Sequence, residues 1–139
     1  MKVLLALLFA GLLYYSFFRL PRYVSRGALI GGSLLMLLVM VLGVAVAVRW
    51  LNASLSPGLG QALSLLQTAL VLTLMNQVSH YMVDYQLRWH EENNAGNRHR
   101  FPLSVLIDYQ RGIKTTFTVF WLVGAAMLAF GILTGPQPG

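Results

Sequence analysis

Ala28-Leu-Ile-Gly-Gly-Ser-Leu-Leu-Met-Leu-Leu-Val-Met-Val-Leu-Gly-Val-Ala-Val-Ala-Val48 contains no charged side chain and runs directly into Arg49-Trp50. A helix of that length rises about 30 Å, the thickness of a bilayer's hydrocarbon layer. A cation beside an indole commonly marks where that layer meets water. The stretch therefore predicts a membrane-spanning helix over residues 28–48, and with it a lipid solvent for much of the chain.

The residues on either side agree. Hydrophobic side chains make up 57% of the 139 residues and charged ones only 10%, against roughly 25% charged in soluble domains. Upstream, residues 3–20 form a shorter apolar run closed by Tyr14-Tyr15, Phe17-Phe18 and Arg19. Its length also fits the hydrophobic region of a secretory leader. Only Lys2 precedes it, however, and no A-x-A cleavage pattern follows, so a retained span is expected.

Downstream, Asn52-Ala-Ser-Leu-Ser-Pro-Gly-Leu-Gly60 reads as a short polar turn broken by Pro57, Gly58 and Gly60. Asn52-Ala53-Ser54 has the form of a glycosylation acceptor, a pattern too loose to carry weight. Further spans are expected at about 61–83 and 113–134, with Gly135-Pro136 and the tail Gln137-Pro138-Gly139 ending the last.

Helical periodicity continues beyond the third span through Tyr85, Leu87 and Trp89, and resumes at Leu103, Val105 and Leu106 before the fourth. Two long helices, roughly 61–92 and 103–134, are thus predicted to form a hairpin that protrudes from the membrane. Residues 93–102, rich in Asn, Gly and Pro, are its tip. The expected fold is all-α: one membrane domain, residues 1–139, with four transmembrane helices.

The cations set an orientation. Arg19, Arg22 and Arg26 lie between the first two spans, and Arg88, Arg98, Arg100, Arg111 and Lys114 lie around the hairpin, leaving Lys2 and Arg49 for the other side. The positive-inside bias puts the basic loops in the cytoplasm and both termini outside, as a multi-pass protein of a bacterial inner membrane. Because these cations bracket apolar runs and form no single stripe, the net charge of +6 does not point to nucleic acid. Attraction of the first loop to anionic lipid heads is expected instead.

Several chemistries are excluded by residue type. The chain has no cysteine, hence no disulfide, thiolate metal site or thiol nucleophile. It has no G-x-S-x-G, H-E-x-x-H or Gly-rich phosphate loop, and its four acidic residues, Asp84, Glu91, Glu92 and Asp108, all surround the hairpin. His90 and His99 fall at the tip, where solvated histidines are ordinary. Neither a metal nor another cofactor is expected, and a non-enzymatic role is favoured.

The densest polar signal enters the third span from its basic end. Asn76, His80, Asp84 and Arg88 recur every four residues and form one stripe on a helix. Polar groups at that depth should face protein. With the tip near position 97, facing residues of the two antiparallel helices carry numbers summing to roughly 194. That register predicts Asp84 with Arg111, Arg88 with Asp108, Ser79 with Thr115 and Asn76 with Thr118. Two readings follow: pairs that hold the hairpin, worth ~0.2–1 kcal/mol each when partly solvated, or a proton or cation site built on His80, Asp84 and Asp108.

Small residues supply a second signal. Gly31, Gly32 and Gly43 in the second span, and Gly124, Ala125, Ala129 and Gly131 in the fourth, allow close helix approach. Either the four helices pack on one another through them, or a partner protein or second copy docks there. The expected function is a small non-catalytic inner-membrane subunit or accessory protein. The alternatives are a small oligomeric transporter or ion-conducting protein using His80 and Asp84, and a membrane redox anchor or lipid-modifying enzyme. Membrane lipids, and a membrane-protein partner or homo-oligomer, are the expected partners.

Overall fold

The structure, a computed structural model, describes residues 1–50 and 54–136, and every regular element among them is helical. The Asn52 acceptor position and the tail 137–139 lie outside the described residues. Four segments, Lys2–Arg22, Arg26–Trp50, Pro57–Asn93 and Gln110–Thr134, are long and apolar enough to cross a membrane.

Helix α1, Lys2–Tyr14, continues through a π-helical turn, Tyr15–Arg19, and a 3-10 turn, Leu20–Arg22. It ends where Pro21, lacking an N–H and crowding the preceding turn, cannot prolong a regular helix. Helix α2, Arg26–Trp50, starts after Ser25, whose Oγ accepts the Ala28 N–H at 3.3 Å, an N-cap contact.

Helix α3 runs Pro57–Asn93, which corrects the expected turn: Pro57, Gly58 and Gly60 lie inside its first turn. Proline is pre-organised for the first helical position, where its missing N–H removes a donor that has no intrahelical partner anyway. Ser56 then caps the helix by accepting the Leu59 N–H at 3.3 Å. The expected continuous fourth helix is broken into α4, Leu103–Asp108, and α5, Gln110–Thr134, at Tyr109 (φ −109°, ψ 17°). Val105, Ile107, Tyr109 and Gly112 are weak helix formers, so this stretch resists a change of direction less than the span beyond it.

Helix α3 is the axis of the fold, packing on α1, α2 and α5. Its Leu65, Ala69 and Leu72 meet Phe9, Leu13 and Phe17 of the first segment and Ala125 and Ala129 of α5 in one buried cluster. Ala125 is only 1% exposed. The Ala125/Ala129 pair therefore serves intramolecular packing, letting α5 close on α3 and α1.

The glycines do not share that role. A β-carbon added at Gly31, Gly32, Gly43, Gly124 or Gly131 would meet nothing within 4 Å, so no backbone of this chain presses against them. On α2 the residues turned inward are Leu29 and Ser33, buried, and Leu37, Met40, Val44 and Ala47, half-buried. This 3–4 spacing lays one stripe along α3, while Gly32, Met36, Val39 and Gly43 form an exposed stripe beside it.

Exposed side chains such as Leu4, Leu35, Val39, Phe120, Met127 and Phe130 would form an untenable apolar surface in water. The interior, by contrast, holds Ser16, Ser33, Gln61, Thr73, Asn76, Gln77 and Thr118. Apolar groups outward and hydrogen-bonded polar groups inward is the arrangement lipid demands, because no hydrophobic force joins helices there.

Candidate functional site: a polar cluster where three helices meet

The buried hydrogen bonds form a ladder along α3. At the Pro57 end, Gln61 Nε2 donates to the Ile132 carbonyl of α5 at 3.1 Å. Midway, Thr73 Oγ1 donates to Ser16 Oγ at 3.0 Å, tying α3 to the π-helical turn after α1. Asn76, 1% exposed, accepts from Thr118 Oγ1 at 3.0 Å, the pair expected from the hairpin register.

One turn further along α3, His80 Nε2 lies 3.0 Å from both the Lys114 carbonyl and Thr118 Oγ1. Its N–H donates to that carbonyl, and the hydroxyl faces the same nitrogen. Asp84 completes the cluster: Arg26 of α2 holds Oδ2, Lys114 of α5 holds Oδ1, and Gln110 Nε2 donates to Oδ1 at 2.9 Å. Both carboxylate oxygens are occupied and three helices converge on one side chain. A metal cation or an itinerant proton would have to displace two ammonium or guanidinium partners first.

Arg111 is not the partner of Asp84. It is exposed, while Lys114, one helical turn deeper, lies on the face turned to α3. Nor do Arg88 and Asp108 form an ion pair: both are exposed, and the break at Tyr109 separates Asp108 from the face on which Gln110 and Lys114 align. Ser79 and Thr115 also miss each other. Ser79 Oγ donates to its own Met75 carbonyl at 2.8 Å and accepts from Trp121 Nε1 at 3.1 Å, and Thr115 Oγ1 donates to the Arg111 carbonyl at 2.9 Å. Hydroxyls on a helix find the carbonyl four residues back readily.

The stripe Asn76, His80, Asp84, Arg88 thus grades from buried through half-buried to exposed. Arg26 and Lys114 entered the sequence reading only as topology markers. Their signal was present in Asp84 itself, a carboxylate within a candidate span, which requires cations near it, and both stand at the ends of their own segments that meet it. At the tip, Arg98 pairs with Glu91 at 3.0 Å, both well exposed. His90 is less solvated than expected, its Nδ1 buried without a hydrogen-bond partner and its ring edge-on to Trp89. Among the described residues no three His or acidic side chains gather as metal ligands.

Two clefts border the cluster. One, of about 450 Å³, is lined by Phe18, Gln110, Arg111, Thr115 and others. The second, of about 290 Å³, lies under the turn linking the first two segments, beside Pro21, Ser25 and Arg26. His80 lines both. No protein family, curated protein or solved structure matched this chain.

Proposed function

We propose that this chain is a small non-catalytic subunit or accessory protein of a larger complex in a bacterial inner membrane. The carrying observation is Asp84, the one carboxylate placed among the helices, which is fully engaged in joining α2, α3 and α5. A carboxylate so neutralised serves assembly and not turnover. The outer face of α2 then provides the contact, since Gly32 and Gly43 lie open there on one stripe and a partner helix or second copy can approach the backbone closely.

The orientation proposed is cytoplasmic for the basic end and external for both termini. Helix α3 has 37 residues and extends about 55 Å, well past a hydrocarbon layer of about 30 Å. Its last turns, with the 95–102 tip, would stand in the cytoplasm as a second contact surface. The test is purification in mild detergent. A stoichiometric membrane protein, or a defined homo-oligomer, is expected with the wild-type chain and lost in Gly43→Leu without loss of helical content. A monomer free of any partner in membranes of the native host would defeat the proposal.

A second reading, a proton or cation path through His80, draws on the position of that ring between two clefts. It requires pH-dependent flux in liposomes that disappears in His80→Gln.

A further inference from the structure

The polar cleft beside His80 does not end at the cluster. Phe18 forms part of its wall and also part of the wall of an apolar groove of about 350 Å³ between α1 and α5. Along α5 the two hollows follow one another turn by turn, from Gln110, Lys114 and Thr118 to Leu122 and Ala126. Along α1 the groove continues over Ala10 and Ala6. Ala6 and Ala10 on one wall and Ala125, Ala126 and Ala129 on the other leave room for it.

The charge at its polar mouth is unbalanced. Arg26, Lys114 and Arg111 are three cations around the single carboxylate Asp84, which Arg26 and Lys114 already engage. Arg111 has no carboxylate partner among the described residues and lines the cleft with Thr115. A free guanidinium at the polar end of an apolar trough matches a phosphate ester carrying an acyl chain.

We infer that this groove is a binding site for one anionic glycerophospholipid, its phosphate on Arg111 and Lys114 and one acyl chain between α1 and α5. No residue of α2 lines the cleft or the groove, so the site stands whether or not a partner docks on α2.

Native mass spectrometry of the full chain, released from detergent with either dioleoylphosphatidylglycerol or dioleoylphosphatidylcholine, tests it. One phosphatidylglycerol should be retained, in preference to the zwitterionic lipid by about fivefold or more, the effect of a single cation at a membrane surface. Arg111→Gln should abolish that preference and Arg111→Lys should keep most of it. Ala126→Phe, which fills the trough, should reduce retention of both lipids. Circular dichroism confirms that each variant is folded. Equal retention of the two lipids would overturn the inference, as would an unchanged Arg111→Gln. Displacement by millimolar inorganic phosphate alone would show a simple anion site, and a polypeptide or second copy cross-linked at Ala126 would show a protein contact; either result also overturns it.

Discussion

Arg26, the first residue of α2, closes an ion pair on Asp84, 58 positions later in the chain. Lys114 takes the other carboxylate oxygen, so one side chain ties α2 and α5 to α3. Asp84→Asn leaves two cations facing each other without an anion. The expected cost is about 1.5–3 kcal/mol, the scale of hydrogen bonds to charged groups, read as a fall in Tm of roughly 5–10 °C in detergent. Exchanging charges in Asp84→Lys with Lys114→Asp should recover part of it, limited by the new cation facing Arg26, whereas Asp84→Arg with Arg111→Asp should recover none. Rescue by the second pair alone would place Arg111, not Lys114, against Asp84.

Asn76 and Thr118 form a buried hydrogen-bonded pair. Thr118→Val leaves the Asn76 carbonyl oxygen unsatisfied and should cost about 1–2 kcal/mol, while Asn76→Leu combined with Thr118→Val should cost less than the two changes added together. A thermal-unfolding cycle in detergent measures the difference, and strict additivity would count against the bond.

Two small residues on different helices should respond oppositely to enlargement. Ala125→Leu forces three more carbons into the cluster of Leu65, Ala69 and Phe9 and should destabilise by about 1–3 kcal/mol. Gly43→Leu meets open space and should leave Tm unchanged or raised, because glycine is a poor helix former. Equal damage at both positions would mean that α2 is packed within the monomer through its glycine face.

The chain has no native cysteine, so topology can be read with single cysteines and a membrane-impermeant maleimide. Ala95→Cys should react only after the inner membrane is opened, and Ser56→Cys in intact spheroplasts. The reverse pattern would invert the proposed orientation.

Much of the local organisation could be read from composition along the chain. An uncharged run such as 28–48 has few alternatives to a spanning helix, because an exposed peptide group in hydrocarbon costs several kcal/mol and only a helix satisfies all of them within one segment. The register of the hairpin was also legible at Asn76 and Thr118, since antiparallel helices joined by a short tip bring fixed positions opposite one another. The register left an uncertainty of one turn, and within that turn lie both Arg111 and Lys114. Which cation reaches Asp84 depends on the rotation of α5 about its axis, which begins anew after the break at Tyr109.

The sequence alone determined the number of segments long and apolar enough to span a membrane and the presence of a polar stripe on the third, because each follows from residue type and helical period within one segment. Only the tertiary structure decided that Arg26 joins the cluster, that the second-span glycines face outward while Ala125 and Ala129 face inward, and that Phe18 walls both the polar cleft and the groove between α1 and α5. Those facts depend on how separate helices rotate and tilt against one another. In lipid, that choice rests on close contact and hydrogen bonds between residues far apart in the chain, which no single-segment pattern encodes.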